Sequence, residues 1–229
     1  MKTLGLIGGT TYHSTIDYYK YINQMIGEKL GGANSARCML YSLNFADIVK
    51  NNEANDWEAN KQLVVNAAML LKNSGIDAFV FCANTMHLFV EDVEQSTGLP
   101  VLHIAVETGK EIRKQNLKRV ALLGTKFTME KDFFKTKLSV QNIETIIPND
   151  DDRNYIHKTI FEEFGKGIFT EEAKTNYISI ISKLVSQGAE GIILGCGEIP
   201  ILLRQTDVSV PTFDTTLIHA RAAVEFAVL

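Results

Sequence analysis

Three landmarks occur twice in this chain, in the same order and at nearly the same spacing. Leu4-Gly-Leu-Ile-Gly-Gly-Thr-Thr11 and Val120-Ala-Leu-Leu-Gly-Thr-Lys-Phe-Thr128 are each an apolar run closed by a Gly-Thr loop. Asp77-Ala-Phe-Val-Phe-Cys-Ala-Asn84 and Glu190-Gly-Ile-Ile-Leu-Gly-Cys-Gly197 are each an apolar run that delivers a cysteine. Leu99-Pro-Val-Leu-His-Ile104 and Val210-Pro-Thr-Phe-Asp214 each read as one further strand. Ile7 and Cys82 are 75 residues apart, and Leu123 and Cys196 are 73 apart. Helical periods fill the intervals. One runs from Trp57 to Asn73 through Leu63, Val64, Ala67, Ala68, Leu70 and Leu71, and Ser74-Gly75 stops it. Another starts at Ser14, continues through Ile16, Tyr19 and Met25, and ends at Gly31-Gly32; a third covers residues 86–95. Strands alternating with helices through short connections specify an α/β fold with parallel sheets. The repetition makes it a duplicated fold, two pseudo-symmetric α/β domains expected to face each other across a cleft. No Pro/Gly/Ser-rich linker separates the halves.

Charge and composition narrow the function. With 45% hydrophobic and 22% charged residues the 229-residue chain is globular, and its apolar runs fall far short of the ~20 residues of a membrane helix. A net charge of −4 supplies no basic stripe to neutralise phosphates, so nucleic acid is not an expected partner, and neither is a membrane. Residues 1–9 carry no signal-peptide pattern, so the mature chain is expected to start near Met1. Three widely spaced cysteines, Cys38, Cys82 and Cys196, suit free thiols in a reducing cytoplasm. The expectation is a cytoplasmic protein that handles a small molecule.

In open parallel sheets, ligands bind beyond the carboxyl ends of the strands. Cys82 and Cys196 both fall there, each shortly before a helix start whose N–H groups are expected to lower a thiol pKa and hold anions. Two such sulfurs on opposite sides of a substrate carbon form an acid/base pair. One removes a proton from one face while the other returns a proton to the opposite face, which inverts a stereocentre. Cys38 lies within a strand and reads as core.

Gly8-Gly9-Thr10, Cys82-Ala-Asn-Thr-Met-His87 and Gly195-Cys196-Gly-Glu-Ile-Pro200 resemble the motifs of the aspartate/glutamate racemase family, from Met1 to the C-terminal helix. The resemblance implies a cofactor-independent amino-acid racemase, a homodimer of two-domain chains, acting on a small acidic amino acid. It implies that Cys82 and Cys196 are the catalytic acid and base, and that Thr10, Asn84 and Thr85 hold the substrate. Thr125, the second-half counterpart of the Gly-Gly-Thr loop, and Gly197 and Glu198 beside the second cysteine are further candidate substrate contacts. The resemblance also implies that the last helix joins the first domain, giving domains of 1–99 plus 214–229 and of 100–213. Two positions depart from the family pattern. Gly197 stands where threonine is usual, and the segments 44–48 and 164–168 offer Lys166 but no arginine to grip a side-chain carboxylate.

Thr10, Asn84, Thr85 and Thr125 also suit helix capping, which is compatible with ligand holding. His87 reads equally as an aid to the thiol and as a helical residue packed on the sheet; His103 and His219 read as core or surface residues. Asp150-Asp151-Asp152 precedes a helical pattern and suits its dipole. No Cys or His pair has metal-ligand spacing, and Gly5–Gly9 spells no dinucleotide or P-loop motif, so no metal or cofactor is expected. The alternatives are a related enzyme, such as a maleate isomerase, hydantoin racemase or decarboxylase, and a two-lobed protein that binds a small acid.

Overall fold

The computed structural model describes residues 1–229. It divides into two compact units, residues 1–103 with 219–229 and residues 104–218. The first contains β1 (Leu4–Gly8), α1 (Tyr12–Leu30), β2 (Cys38–Ser42), α2 (Phe45–Glu53), α3 (Trp57–Asn73), β3 (Ala78–Phe81) and α4 (Val90–Thr97). The second contains α5 (Ile104–Lys114), β4 (Arg119–Leu123), α6 (Lys126–Glu130), α7 (Asp132–Ser139), β5 (Glu144–Ile146), α8 (Asp150–Glu162), α9 (Glu171–Ser186), β6 (Ile192–Leu194), α10 (Ile199–Leu202) and β7 (Thr212–Asp214). The last helix, α11 (Thr215–Val228), begins in the second unit and ends in the first. Its first turn is tied to the second unit, where Thr215 Oγ1 donates to the Leu194 carbonyl at 2.9 Å.

Both sheets are wholly parallel and share one topology. The first has the order β2-β1-β3, and the second β5-β4-β6-β7. The counterpart of β7 in the first unit is not a full strand. Only Val101 bridges Phe79, through Phe79 N–H to the Pro100 carbonyl at 2.9 Å and Leu102 N–H to the Phe79 carbonyl at 3.0 Å. Proline has no N–H to extend the ladder, and α5 begins at Ile104, so pairing ends after one residue. With that bridge included, the two halves carry the same strand order.

Every residue of β1 and β3 is buried, as expected for parallel strands covered on both faces. Alternation then sorts the first unit's core. Ile7, Phe79 and Phe81 face Val64, Ala67, Ala68, Leu71, Val90 and Val93 of α3 and α4. Leu4, Leu6, Val80 and Cys82 face Tyr18, Ile22 and Ile26 of α1 and Ala220, Ala223, Val224 and Ala227 of α11. In the second unit one continuous cluster is built on Val120–Leu123 and Ile192–Leu194.

The structure corrects the reading of α1. Its buried face is Ser14, Thr15, Tyr18, Ile22 and Ile26, whereas Ile16 and Tyr19 are more than half exposed. Two apolar stripes compete on this helix, and the one aligned with hydroxyls in the first turn faces the sheet, where those hydroxyls meet loop backbone.

Candidate active site

In each sheet the chain first steps to one side of the central strand and then to the other. The crevice at that reversal opens beyond the carboxyl ends of β1 and β3 in the first unit, and of β4 and β6 in the second. The residues delivered there are Gly9-Thr10 and Cys82-Ala83-Asn84-Thr85 in one case, and Gly124-Thr125 and Gly195-Cys196-Gly197-Glu198 in the other. Both cysteines of the repeated landmark therefore occupy equivalent places in their own sheets.

At the first crevice, Cys82 N–H continues the ladder to the Ile7 carbonyl at 2.8 Å. Ser14 Oγ donates to the Cys82 carbonyl at 2.8 Å and contacts the Thr11 carbonyl at 3.1 Å. Thr15 Oγ1 accepts from Gly9 N–H at 2.9 Å and donates to the Thr11 carbonyl at 3.2 Å. Two hydroxyls in the first turn of α1 thus lock the loop after β1 to the loop after β3. Gly9 has φ of 92°, and a Cβ there would run into the Leu43 backbone, so only glycine fits. The hydroxyl of Thr10 is buried without a hydrogen-bond partner, as suits a group kept for a ligand. Asn84 and the half-buried Thr85 open a 3₁₀ turn, Thr85–Phe89, that Asn84 does not cap with its side chain. The sequence pattern pointed to Thr10, Asn84 and Thr85 but missed Ser14 and Thr15. The signal available was a Ser-Thr pair five to six residues beyond Gly9, inside the first helical turn.

At the second crevice, Gly195 N–H bonds the Leu123 carbonyl at 2.7 Å, and Gly124 and Gly195 pack too closely to admit side chains. Thr125 is the N-cap of α6 and accepts from Thr128 N–H at 3.3 Å, so its hydroxyl already has structural work. Gly197 is half-buried beside Cys196. The Cys196 thiol donates to Glu198 Oε2 at 2.9 Å, and Glu198 is buried. This thiol–carboxylate pair escaped the sequence reading, because a Cys-x-Glu spacing brings the groups together only in a tight turn. Lys166 lies in a separate 3₁₀ turn, Phe164–Lys166.

The helix starts are weaker activators than the sequence suggested. Cys82 is followed by a five-residue 3₁₀ turn and Cys196 by a four-residue helix, too few peptide units to sum a substantial dipole. Burial instead raises both thiol pKa values. Nearby Cys38 adds to the rise at Cys82, and the Glu198 charge adds to it at Cys196. Cys38 itself is half-buried at the start of β2, paired with Leu4 and packed on the core cluster that holds Cys82, and burial raises its pKa too. His87 sits on the turn after Cys82, with Nδ1 at 3.1 Å from the Ala83 carbonyl and 3.2 Å from the Asn84 carbonyl. Asp150, Asp151 and Asp152 occupy the first turn of α8 behind the Asn149 cap, where Asp152 also pairs with Lys183 at 3.0 Å. No three His, Cys, Asp or Glu side chains converge as a metal site, and no helix is long and apolar enough to cross a membrane.

Known proteins share this fold. A candidate Asp/Glu racemase from Yersinia pestis is 45% identical, with full coverage of both chains and a TM-score of 0.94. An aspartate racemase homologue from Pyrococcus horikoshii OT3 is 37% identical, again with full coverage of both, and has a TM-score of 0.86. The broad specificity amino-acid racemase RacX of Bacillus subtilis (strain 168) is 24% identical over 176 residues, which cover 74% of this chain and 73% of RacX. The sequence profile described as Asp/Glu/Hydantoin racemase matches residues 7–223, a span holding both crevices and both thiols. The chain belongs to the Asp/Glu/hydantoin racemase family.

Proposed function

We propose that the protein interconverts the enantiomers of an acidic amino acid, aspartate or glutamate, by proton transfer between Cα and the thiols of Cys82 and Cys196, without pyridoxal phosphate. The observation that carries this reading is the equivalence of the two thiols, each at the strand-order reversal of its own duplicated sheet. One sulfur takes the α-proton as a thiolate, and the other, as a thiol, donates a proton to the opposite face. Charge builds on the substrate carboxylate as the proton leaves. The Thr10 hydroxyl, with Asn84 and Thr85, is placed on the loops that would stabilise that charge most in the transition state. The Thr125 hydroxyl and the Gly197 backbone in the second crevice complete the proposed substrate contacts.

Glu198 gives the two sulfurs different roles. Making a thiolate in a buried place is costly, but moving the Cys196 proton onto Glu198 keeps the pair at one negative charge throughout. Cys196 is then the thiol with a proton acceptor at hand, and Cys82, which has none, rests as the protonated acid. Glu198→Gln is expected to lower kcat by about 10²-fold, the usual scale for losing a general base, and to flatten the limb of the pH–rate profile that reports this pair. A kcat within twofold of wild type would remove Glu198 from the mechanism. The reaction itself is tested by incubating both enantiomers of aspartate and glutamate in deuterium oxide. Deuterium at Cα with loss of optical activity is expected; no exchange into any of the four would refute the racemase reading and favour a protein that only binds small acids.

We also propose that the protein acts as a homodimer joined through β2. Met39, Leu40 and Tyr41 on this edge strand are all exposed, and Tyr12, Ile16 and Tyr19 form an exposed stripe on α1. Asn23, further along that stripe, accepts from Ala36 N–H at 2.9 Å, close before β2. The strand carries no charge, so a two-fold axis brings it against itself without repulsion while covering an apolar edge. Leu40→Lys is expected to halve the mass seen by sedimentation equilibrium. An unchanged dimer mass in that variant would place the interface elsewhere.

A further inference from the structure

The chain passes between its two units twice, at 103/104 and at 218/219. On the first-unit side of each crossing stands a buried histidine, His103 and His219. Both rings rest against a third, with centroids 5.0 Å from His103 to His87 and 5.3 Å from His219 to His87. Phe81, the last residue of β3, closes the ring of contacts at 5.3 Å. His219 is itself fixed on both sides. Its Nε2 donates to the Leu102 carbonyl at 2.7 Å, which leaves Nδ1 to accept from the Tyr18 hydroxyl at 2.8 Å.

His87 is held differently. Its Nδ1 faces two carbonyls, of Ala83 and Asn84, so that nitrogen bears the proton. Its Nε2 is buried with no partner. A packed ring needs no donor, and a phenyl group would fill the same space without leaving a lone pair unsatisfied. The polar atom therefore has a purpose at the Nδ1 end. The two carbonyls belong to the residues between Cys82 and Thr85, where the strand ends and the 3₁₀ turn begins.

We infer that His87 is a positioning residue: its Nδ1–H clamps the loop that carries Cys82, Asn84 and Thr85, and its ring ties that loop to His103 and His219 where the chain crosses between units. The ring is neutral in this arrangement, since protonation at Nε2 would put a charge among His103, His219 and Phe81, where only the Leu102 carbonyl, already taken by His219, lies near enough to meet it. Burial favours that state by holding the His87 pKa down to about 4. This inference rests on the racemase reading for its effect on turnover, but the clamp itself is tested independently of turnover.

Three variants separate positioning from packing. His87→Asn puts an amide donor near the place of Nδ1, His87→Phe keeps the ring and removes the donor, and His87→Gln carries its donor too far out. Sub-ångström positioning is worth up to ~10²-fold in rate. His87→Phe and His87→Gln are therefore expected to lower kcat/KM by at least about tenfold, with KM raised and kcat reduced, and His87→Asn to stay within about threefold. A packing role predicts the reverse order, with phenylalanine best. In the same proteins, iodoacetamide labelling of Cys82, followed by mass spectrometry of its peptide, is expected to accelerate in His87→Phe and remain slow in His87→Asn. Equal labelling rates in the two variants would overturn the clamp. If wild type racemises nothing, the labelling comparison still decides the clamp while the functional reading fails. Should the variants not fold, ¹⁵N spectra of wild-type histidines decide it. The expected signature is a neutral His87 with its proton on Nδ1 at pH 7, and a proton on Nε2 would refute it.

Discussion

Cys82→Ser and Cys196→Ser are each expected to abolish measurable racemisation, with kcat lowered on the order of 10³-fold or more, as for loss of an acid or base that takes part directly in proton transfer. Serine keeps the shape of the side chain but is a far weaker acid than a thiol, so a fold defect does not explain the loss. The two variants should also differ. In Cys82→Ser the Cys196–Glu198 pair remains, so one enantiomer should still exchange its α-proton with deuterium oxide while keeping its configuration. In Cys196→Ser the remaining thiol has no carboxylate partner, and exchange should be slower with either enantiomer. Cys38→Ser, on the exposed edge strand, should leave turnover within about twofold. Chiral chromatography and proton NMR on the same samples measure inversion and exchange separately. Substantial inversion by either single-thiol variant would sink the two-base mechanism.

The second large effect is on stability. Burial lowers the His87 pKa to about 4, and burial together with the neighbouring His87 lowers that of His219 to about 3. Both lie below the ~6.5 of an unfolded histidine, so below that pH the unfolded chain binds protons that the folded chain refuses. The resulting stabilisation is complete above pH 6.5 and is lost as pH falls toward 4. Each histidine contributes a slope of about 1.4 kcal/mol per pH unit in that window, so the pair contributes about 2.7. His157, lowered by burial and then by the nearby Lys126 charge, adds in the same direction. A domain's whole stability is typically about 5–15 kcal/mol, so acid unfolding should begin well above the range where carboxylates protonate. Urea midpoints between pH 7.5 and 4 measure the slope, and His219→Gln should reduce it by about 1.4 kcal/mol per pH unit. A flat profile down to pH 4.5 would mean that the buried histidines accept protons without cost.

Much of the fold was legible because it rests on local pattern. The buried strands at residues 4–8, 78–81, 119–123 and 192–194 announce themselves as apolar runs, and α3 matches its helical period from Trp57 to Asn73. What escaped was set by the rest of the protein. β5, Glu144–Ile146, is a short edge strand with no apolar run of its own, and it forms because Arg119–Ala121 offers a free ladder. The helix expected over residues 86–95 breaks into a 3₁₀ turn and α4, and at the start of that turn the His87 side chain faces the carbonyls of Ala83 and Asn84. At the site, both cysteines and the small polar residues around them were visible as a repeat. The Glu198 contact depends on a turn, and the histidine cluster joins positions 87, 103 and 219, which no local pattern connects.

The return of the C-terminal helix has a consequence for how the molecule is made. The second unit is one continuous stretch, residues 104–218, and its entire core cluster leaves the ribosome before residues 219–229 do. The first unit is started first and completed last. Until residues 219–229 emerge, the face of Leu4, Leu6 and Val80 lacks Ala220, Ala223, Val224 and Ala227, and Lys2 N–H lacks the Ala227 carbonyl it meets at 2.8 Å. Among those late arrivals is His219, so the loop bearing Cys82 acquires this support only after the whole second unit has been made.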